Sequence, residues 1–506
     1  MLPFVYNFPF FCIVAIMLTG AICPALKNGK VAFWLSFTVS ALSAVLSGIL
    51  LYFLYTGNIT YTYVLGHFPA PWGNELKAGP LQALLSTVFA TVMCLALLGG
   101  KKDLFRDVLP EKQKLYFIMT NLTLASLFAL TYTNDVFTAY VFIEISTLAA
   151  CSLVMAKDTG HNLVATIRYL FMSLLGSGLF LIGVILLYCI TGQLLMIPLQ
   201  EEILAIFGEG IYRVPLAVII GLMAVGLSIK AALFPFHRWL PAAHGGATTA
   251  SSSILSGLVV KCYIVLMITL FYRVFTTEVI RELKINNVIF VFGLSSMIVG
   301  SVYAIKEDHI KRMLAYSSVA QLGYIFMGIG LGTDIGVTAA VYQLIVHAFT
   351  KPMLFSCAGR LASTVGHHKN FKNLKGTAYN DKLAGVCFTV GALSMIGIPL
   401  FGGFVSKMYL ASASLLNPKK MILSLSILAV STVLNALYYI PAVSDIWSKL
   451  KDGETVEPKH PGEAVDTAKD KTFMIAAVIL AFMVIFLGIC YQPIINIIQS
   501  GLQLMN

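Results

Sequence analysis

The chain contains fourteen apolar stretches, each about the length a helix needs to cross a hydrocarbon core. They cover about residues 8–26, 31–56, 79–99, 113–132, 135–156, 164–190, 214–236, 246–272, 286–305, 310–331, 335–361, 383–412, 421–446 and 472–491. In lipid, every backbone N–H and C=O must find its partner within the chain, so only helices or closed barrels can span. Stretches of about twenty residues select helices over the shorter strands of a barrel. Only 11% of residues are charged, against roughly 25% in soluble domains. No polar coat is left for a soluble fold, and the class that follows is an all-α polytopic membrane protein.

The loops supply the orientation. Of the 34 lysines and arginines, 23 fall on loops of one side, 7 on the other, and 4 inside spans. Basic residues accumulate on the cytoplasmic side, so both termini are expected on the outer side of a cell membrane. The net charge of +11 then reflects inner loops rather than nucleic-acid binding. A charged segment at 447–471, KLKDGETVEPKHPGEAVDTAKDK, reads as an inner-side loop or docking surface. IPLQEEILAIFGEGIYR reads as a short outer interfacial helix. None of the nine cysteines forms a CxxC pair, and no nucleotide-binding motif is present. No metal or cofactor is expected on the chain, nor redox or hydrolytic chemistry.

The 4 basic residues inside spans are Lys230, Lys261, Lys351 and Lys407. Each costs about 2.5–3.5 kcal/mol at the bilayer centre unless it pairs or meets water. Lys230 precedes Pro235 in SIKAALFPFHRWLPAAH. Lys407 follows Pro399 and Gly402–Gly403 in IGIPLFGGFVSK. Both spans should therefore break beside their lysine, and irregular backbone at membrane depth belongs beside a wet cavity. Lys261 lies mid-span. His347 and Lys351 share a helix face at i and i+4. Glu144, in TNDVFTAYVFIEIS, is a carboxylate within a span that needs a partner from another helix or a proton. Buried lysines, histidines and a carboxylate spread over several helices mark a proton pathway.

These motifs resemble the antiporter-like subunit family. It comprises proton-pumping subunits of respiratory complex I, large subunits of Mrp-type sodium/proton antiporters and matching subunits of energy-converting hydrogenases. The resemblance rests on TNDVFTAYVFIE, KAALFPFHRWLPAAHGGATTASSSILSGLVVK, EDHIKRMLAYSSVAQLGY, HAFTKPMLFSCAG, GIPLFGGFVSK and VLGHFPAPWG. It covers roughly residues 60–445, and the chain is similar to the medium, fourteen-helix type, ending soon after its last span. The resemblance implies fourteen helices holding two inverted five-helix repeats, with helices 7 and 12 broken. The implied division is a three-helix region at 1–111, repeats at 112–272 and 273–446, and a charged loop with the last helix at 447–506.

By the same resemblance, Glu144 and Lys230 form the pair of the first half-channel, and Lys261 connects it onward. His347 and Lys351 continue the central axis, and Lys407 ends the second half-channel. His237, His244, Asp308 and Lys311 are relay candidates. One departure is Gly79, where many relatives carry an aspartate. The implied function is translocation of protons, or exchange of sodium for protons, within a multisubunit energy-converting complex. Partners would be further antiporter-like subunits and a redox module, with the lipid bilayer around them. The PAPWG and FPFHRWLPAAH wording leans toward a hydrogenase-type or Mrp-type parent, with a complex I-type parent as the alternative. A stand-alone cation/proton transporter and a membrane scaffold are competing readings, distinguished by transport through the purified chain and by tolerance of lysine replacement.

Overall fold

Side-chain caps in the loops set where the helices begin. A computed structural model describes residues 2–68, 73–449 and 470–505. The spanning helices are α1 (Phe8–Ile22), α2 (Gly29–Gly57), α3 (Pro80–Asp107), α4 (Gln113–Tyr132), α5 (Val136–Met155), α6 (Gly160–Thr191) and α7 (Arg213–Lys230). They continue with α8 (Thr249–Arg273), α9 (Ile285–Ile305), α10 (Ile310–Gly330), α11 (Asp334–Ser363), α12 (Lys382–Ile396), α13 (Pro418–Trp447) and α14 (Lys471–Ile489). Asn28, Asp135, Thr159, Thr333, Asp381 and Asp470 each accept a backbone N–H in the first turn of the following helix. That satisfies donors a helix start leaves orphaned.

Each of the fourteen expected stretches coincides with one of these elements. Among the described residues, twelve helices are long and apolar enough to cross a membrane. The other two positions are α11, whose apolar face is diluted by Gln343, His347 and Lys351, and the divided twelfth span. The seventh span ends its first half at Lys230 and resumes as Trp239–Gly246, while the twelfth stops at Ile396 and resumes as Gly402–Leu415.

Burial ranks the helices. The most apolar window of α8 is 100% buried inside the chain, and that of α10 is 94% buried, against 28% for α2 and α13. The serines and the lysine of α8 are therefore enclosed by protein. Close approach is built in where α6 meets α7. A Cβ on Gly226 would lie 2.4 Å from the Gly176 carbonyl oxygen, so only glycine allows this contact, one turn before Lys230.

Outside the fourteen spans, two helices and a hairpin bear on the sequence reading. Met196–Gly208 is a helix, as expected, with Met196, Leu199, Ile203 and Phe207 buried at helical spacing. Tyr61–Val64 and Glu75–Ala78 pair as an antiparallel hairpin, β1 and β2, with Tyr61 opposite Ala78. The sequence reading did not foresee it. Asn134, in the α4–α5 turn, donates its backbone N–H to the Glu75 carbonyl and its side-chain Nδ2 to Glu75 Oε2. A helix at Tyr491–Gln503 was also unforeseen. Most of the 447–471 loop (450–469) and residues 69–72 of VLGHFPAPWG lie outside the described residues.

Candidate functional site: a buried line of lysines between two broken helices

Pro235 cannot donate a backbone hydrogen bond, so α7 cannot run through it. The chain leaves the helix through Ala232, held in the left-handed region at φ 56°. The Ile229 carbonyl next to the break accepts the Trp239 indole N–H at 3.2 Å. Lys230 itself is 1% exposed. Its ammonium donates to Thr147 Oγ1 on α5 at 2.6 Å and lies 5.4 Å from the centre of the Tyr263 ring. Glu144 sits one turn before Thr147 on the same helix, half-buried and within electrostatic reach of Lys230. Among the described residues no ion pair joins the two; the ammonium is instead held by Thr147.

The second break mirrors this chemistry. Gly397 (φ 95°) and Leu400 (φ 86°) turn the chain in the left-handed region. The last carbonyls of α12, at Met395 and Ile396, face inward and lack helical partners. Gln321 Nε2 and Asn435 Nδ2 donate to Met395 O at 3.3 and 3.4 Å. Lys407 donates to Ile396 O at 2.5 Å and to Thr432 Oγ1 on α13 at 3.2 Å. A cation at a helix C-terminus is stabilised by the helix dipole.

Between the breaks lie three further buried lysines. Lys261 donates to the carbonyl of Ser256, inside a π-turn at Leu255–Val259 that interrupts α8. Such turns are common at functional sites. Lys351 donates to Leu314 O at 2.8 Å, Ser317 Oγ at 2.7 Å and Tyr439 Oη at 3.3 Å. Lys311, at the start of α10, donates at 3.0 Å to the carbonyl of Ala247, where the second half of the seventh span ends. His347 and His244 are enclosed beside these groups, each within electrostatic reach of Lys261 and Lys351. His244 stacks on Phe355 at 4.8 Å between ring centres. Among the described residues neither ring nitrogen of His237, His244 or His347 has a protein partner, and buried polar atoms of this kind are ordinarily met by water.

The structure thus gathers Lys261, His347, Lys351, His244 and Lys311 into one central cluster. It sets Glu144 with Lys230 to one side and Lys407 to the other. Asp308 stands apart. Its side chain is exposed just before α10, and its backbone carbonyl accepts the Phe371 N–H at 3.0 Å.

The connecting residues are ones the sequence reading passed over. Ser431, Thr432, Asn435, Tyr438 and Tyr439 follow helical spacing on α13 and face inward. Tyr439 meets Ser317 at 2.7 Å, Tyr438 donates to Asn435 Oδ1 at 2.7 Å, and Asn435 Nδ2 donates to Tyr324 Oη at 3.1 Å. The Tyr324 hydroxyl continues to Ser431 at 2.9 Å, and its ring carries the Lys407 ammonium at 5.0 Å. Tyr438 and Tyr439 rings lie 4.7 Å apart. Polar side chains therefore step from Lys351 to Lys407, with ring contacts at Tyr439–Tyr438 and at Tyr324–Lys407 as the two links that are not hydrogen bonds. A second strand of the network joins Gln321, Gln343 and Ser406 at 2.6 and 2.5 Å. The sequence signal that could have found α13 was an amide in an apolar run, Asn435 in STVLNALYY.

Toward the lysine-rich face, Asp103, Arg106, Asp107 and Lys157 form linked ion pairs of 2.9–3.2 Å. Asp103 also accepts the Thr249 hydroxyl at 2.5 Å, at the start of α8. Beside them, outside the spans, burial first and then Lys157 push Lys369 down to about 8. Burial, with Lys369, Lys311 and Arg312 near, pushes His309 down to about 3. Among the described residues no three His, Cys, Asp or Glu side chains are grouped to hold a metal ion.

Comparison with known proteins agrees with this architecture. The family model described as NADH:quinone oxidoreductase/Mrp antiporter, transmembrane region, matches residues 133–434. NADH-quinone oxidoreductase subunit N of Desulforudis audaxviator is 31% identical over 448 residues, 87% of this chain and 87% of that protein. A Na(+)/H(+) antiporter subunit of Alkalihalophilus pseudofirmus is 27% identical over 435 residues, 85% of this chain and 83% of that one. A chain of the membrane-bound sulfane sulfur reductase, an archaeal respiratory membrane complex, superposes with TM-score 0.85 at 24% identity, covering 99% of this chain and 97% of that chain.

Proposed function

The chain belongs to the NADH:quinone oxidoreductase/Mrp antiporter transmembrane family, and from that premise we propose that it carries protons along its buried lysines. It is an antiporter-like, multi-span membrane subunit of the kind found in complexes with other membrane subunits. Protons enter this reading at Glu144 and Lys230, pass the Lys261–His347–Lys351 cluster, and leave through Lys407. The observation that carries it is the series of buried polar side chains from Lys351 through Tyr439, Tyr438, Asn435 and Tyr324 to Lys407, hydrogen-bonded except where the Tyr439 and Tyr438 rings pack together and where the Lys407 ammonium lies over the Tyr324 ring. A scaffold would have no use for such a run, since each buried polar group costs stability unless fully partnered.

The parent complex in this proposal is hydrogenase-type or Mrp-type, with further antiporter-like subunits beside this one and a redox module as driver in the first case. A complex I-type parent is the second reading, favoured by the 31% identity to a quinone-oxidoreductase subunit. The two repeats at 112–272 and 273–446 are proposed as the two half-channels, supported by one lysine-bearing break in each. The proposed location is the cell membrane with both termini outside, supported by the 23-to-7 division of basic residues. No cofactor is assigned to this chain.

The test is proton movement in vesicles containing the assembled complex. Lys230→Ala should abolish it while the complex still assembles. Normal translocation by that variant would refute the relay.

A further inference from the structure

A second charged feature lies away from the lysine line, where one end each of α2, α3 and α14 converge on the lysine-rich face. There the three helices surround an open cavity of about 520 Å³. Lys30 from α2, Lys101 and Lys102 from α3, and Lys471 from α14 all line it. The one carboxylate among the lining groups, Asp470, is engaged as the cap of α14, accepting the Thr472 and Phe473 N–H groups and the Thr472 hydroxyl. The ammonium groups of Lys30, Lys101 and Lys471 around one cavity repel one another, and a bound anion relieves that.

The floor identifies the kind of anion. Lys101 stands 4.5 Å from the Trp34 ring centre and 5.0 Å from Phe33. Trp34 is 47% exposed and begins a stripe of exposed apolar side chains, Leu42, Val45, Ile49 and Tyr52, along the same helix. Amphipathic rings of this kind sit at the level of lipid headgroups. The stripe continues from the cavity down α2 into the span, where acyl chains lie. A soluble phosphate would use the cations but not the stripe. An acidic protein surface would not need a path into the hydrocarbon.

We propose that this cavity binds the phosphodiester headgroup of an anionic phospholipid, with Lys30, Lys101 and Lys471 around the phosphate and the acyl chains along the α2 stripe. Basic pockets between span ends provide this recognition through charge, at about fivefold in affinity per lysine. The site is independent of the lysine line and of the proton pathway.

The experiment uses the full chain in phosphatidylcholine vesicles, titrated with brominated phosphatidylglycerol, reading quenching of Trp34. The Trp34→Phe variant supplies the background. Wild type should be quenched by brominated phosphatidylglycerol well below the level at which brominated phosphatidylcholine acts, and the preference should shrink in high salt. Lys30→Gln/Lys101→Gln/Lys471→Gln should weaken the lipid preference on the order of a hundredfold, and Lys101→Gln alone about fivefold. The single variant keeps the test decisive if the triple one misfolds. Lys372→Gln/Lys375→Gln/Lys382→Gln removes equal charge elsewhere and should change nothing. Equal quenching by the two lipids, or equal loss in both triple variants, overturns the proposal. So does competition by free glycerol 3-phosphate as effective as by the lipid, which would make the site one for soluble phosphate.

Discussion

Lys407 donates its ammonium to the carbonyl of Ile396, the residue at which the first half of the twelfth span stops. The side chain from one half of a broken helix thereby closes the end of the other. Lys407→Met leaves that carbonyl without its donor and should cost about 1–3 kcal/mol of stability, together with proton translocation. Lys407→Gln keeps a neutral donor. It should recover most of the thermal stability and none of the translocation, measured by melting and by vesicle proton uptake on the same preparations. Translocation restored by glutamine would remove the charge from the mechanism.

Thr147, one turn after Glu144 on α5, accepts the Lys230 ammonium at 2.6 Å. Hydrogen bonds to charged groups contribute about 1.5–3 kcal/mol, so Thr147→Val should destabilise by that order and slow translocation. Thr147→Ser keeps the acceptor and should behave like wild type. A valine variant that pumps normally would show that the lysine finds the carboxylate without Thr147.

Asn435 holds four partners at once: Tyr438, Ser301, Tyr324 and the Met395 carbonyl. Asn435→Leu has similar volume but breaks the polar run between Lys351 and Lys407. Translocation should fall at least roughly tenfold, the scale on which loss of a single charge-linked hydrogen bond is felt, while Lys230 and its partners stay in place. Full activity in the leucine variant would route the protons elsewhere, with the Gln321–Gln343–Ser406 strand as the alternative.

Lys369 gives a pH signature. Its ordinary value is 10.5, and in the fold it is pushed down to about 8, by burial first and Lys157 second. Between these values the unfolded chain binds the proton and the folded chain does not. Stability from this group therefore rises with pH across roughly 8 to 10.5 and is lost as pH falls back through that window. In Lys369→Met the rise in melting temperature over that window should be smaller than in wild type. An unchanged rise would assign the pH dependence to other groups.

Spans and breaks could be read from sequence because both are local properties. Apolar length fixes α1 to α14, and Pro235, Pro399 and Gly402–Gly403 fix the two interruptions. The lysines stood out because charge is rare in an apolar run. Their partners did not, since Thr147, Ser317 and Tyr439 are ordinary residues until packing brings them to an ammonium. The expectation that Glu144 pairs with Lys230 did not include Thr147, which accepts the Lys230 ammonium one turn along α5. Asp308 was chosen from a polar stretch, and only the fold shows that its side chain turns outward. Arg273, counted as a loop residue, is 2% exposed at the end of α8, and among the described residues its guanidinium has no hydrogen-bond partner. The hairpin of Tyr61–Val64 with Glu75–Ala78 escaped because a search for twenty-residue apolar runs is blind to four-residue strands.

The π-turn at Leu255–Val259 has a geometric consequence for α8. A helix advances by about 100° per residue, and a π-turn accommodates one residue more than an α-turn does. Everything after Val259 is therefore rotated by about that angle relative to an uninterrupted helix. That rotation brings Lys261 toward the central cluster and lets Tyr263 reach Ser146. The azimuth of a fully buried lysine is thus set by five uncharged residues whose composition gives no hint of it.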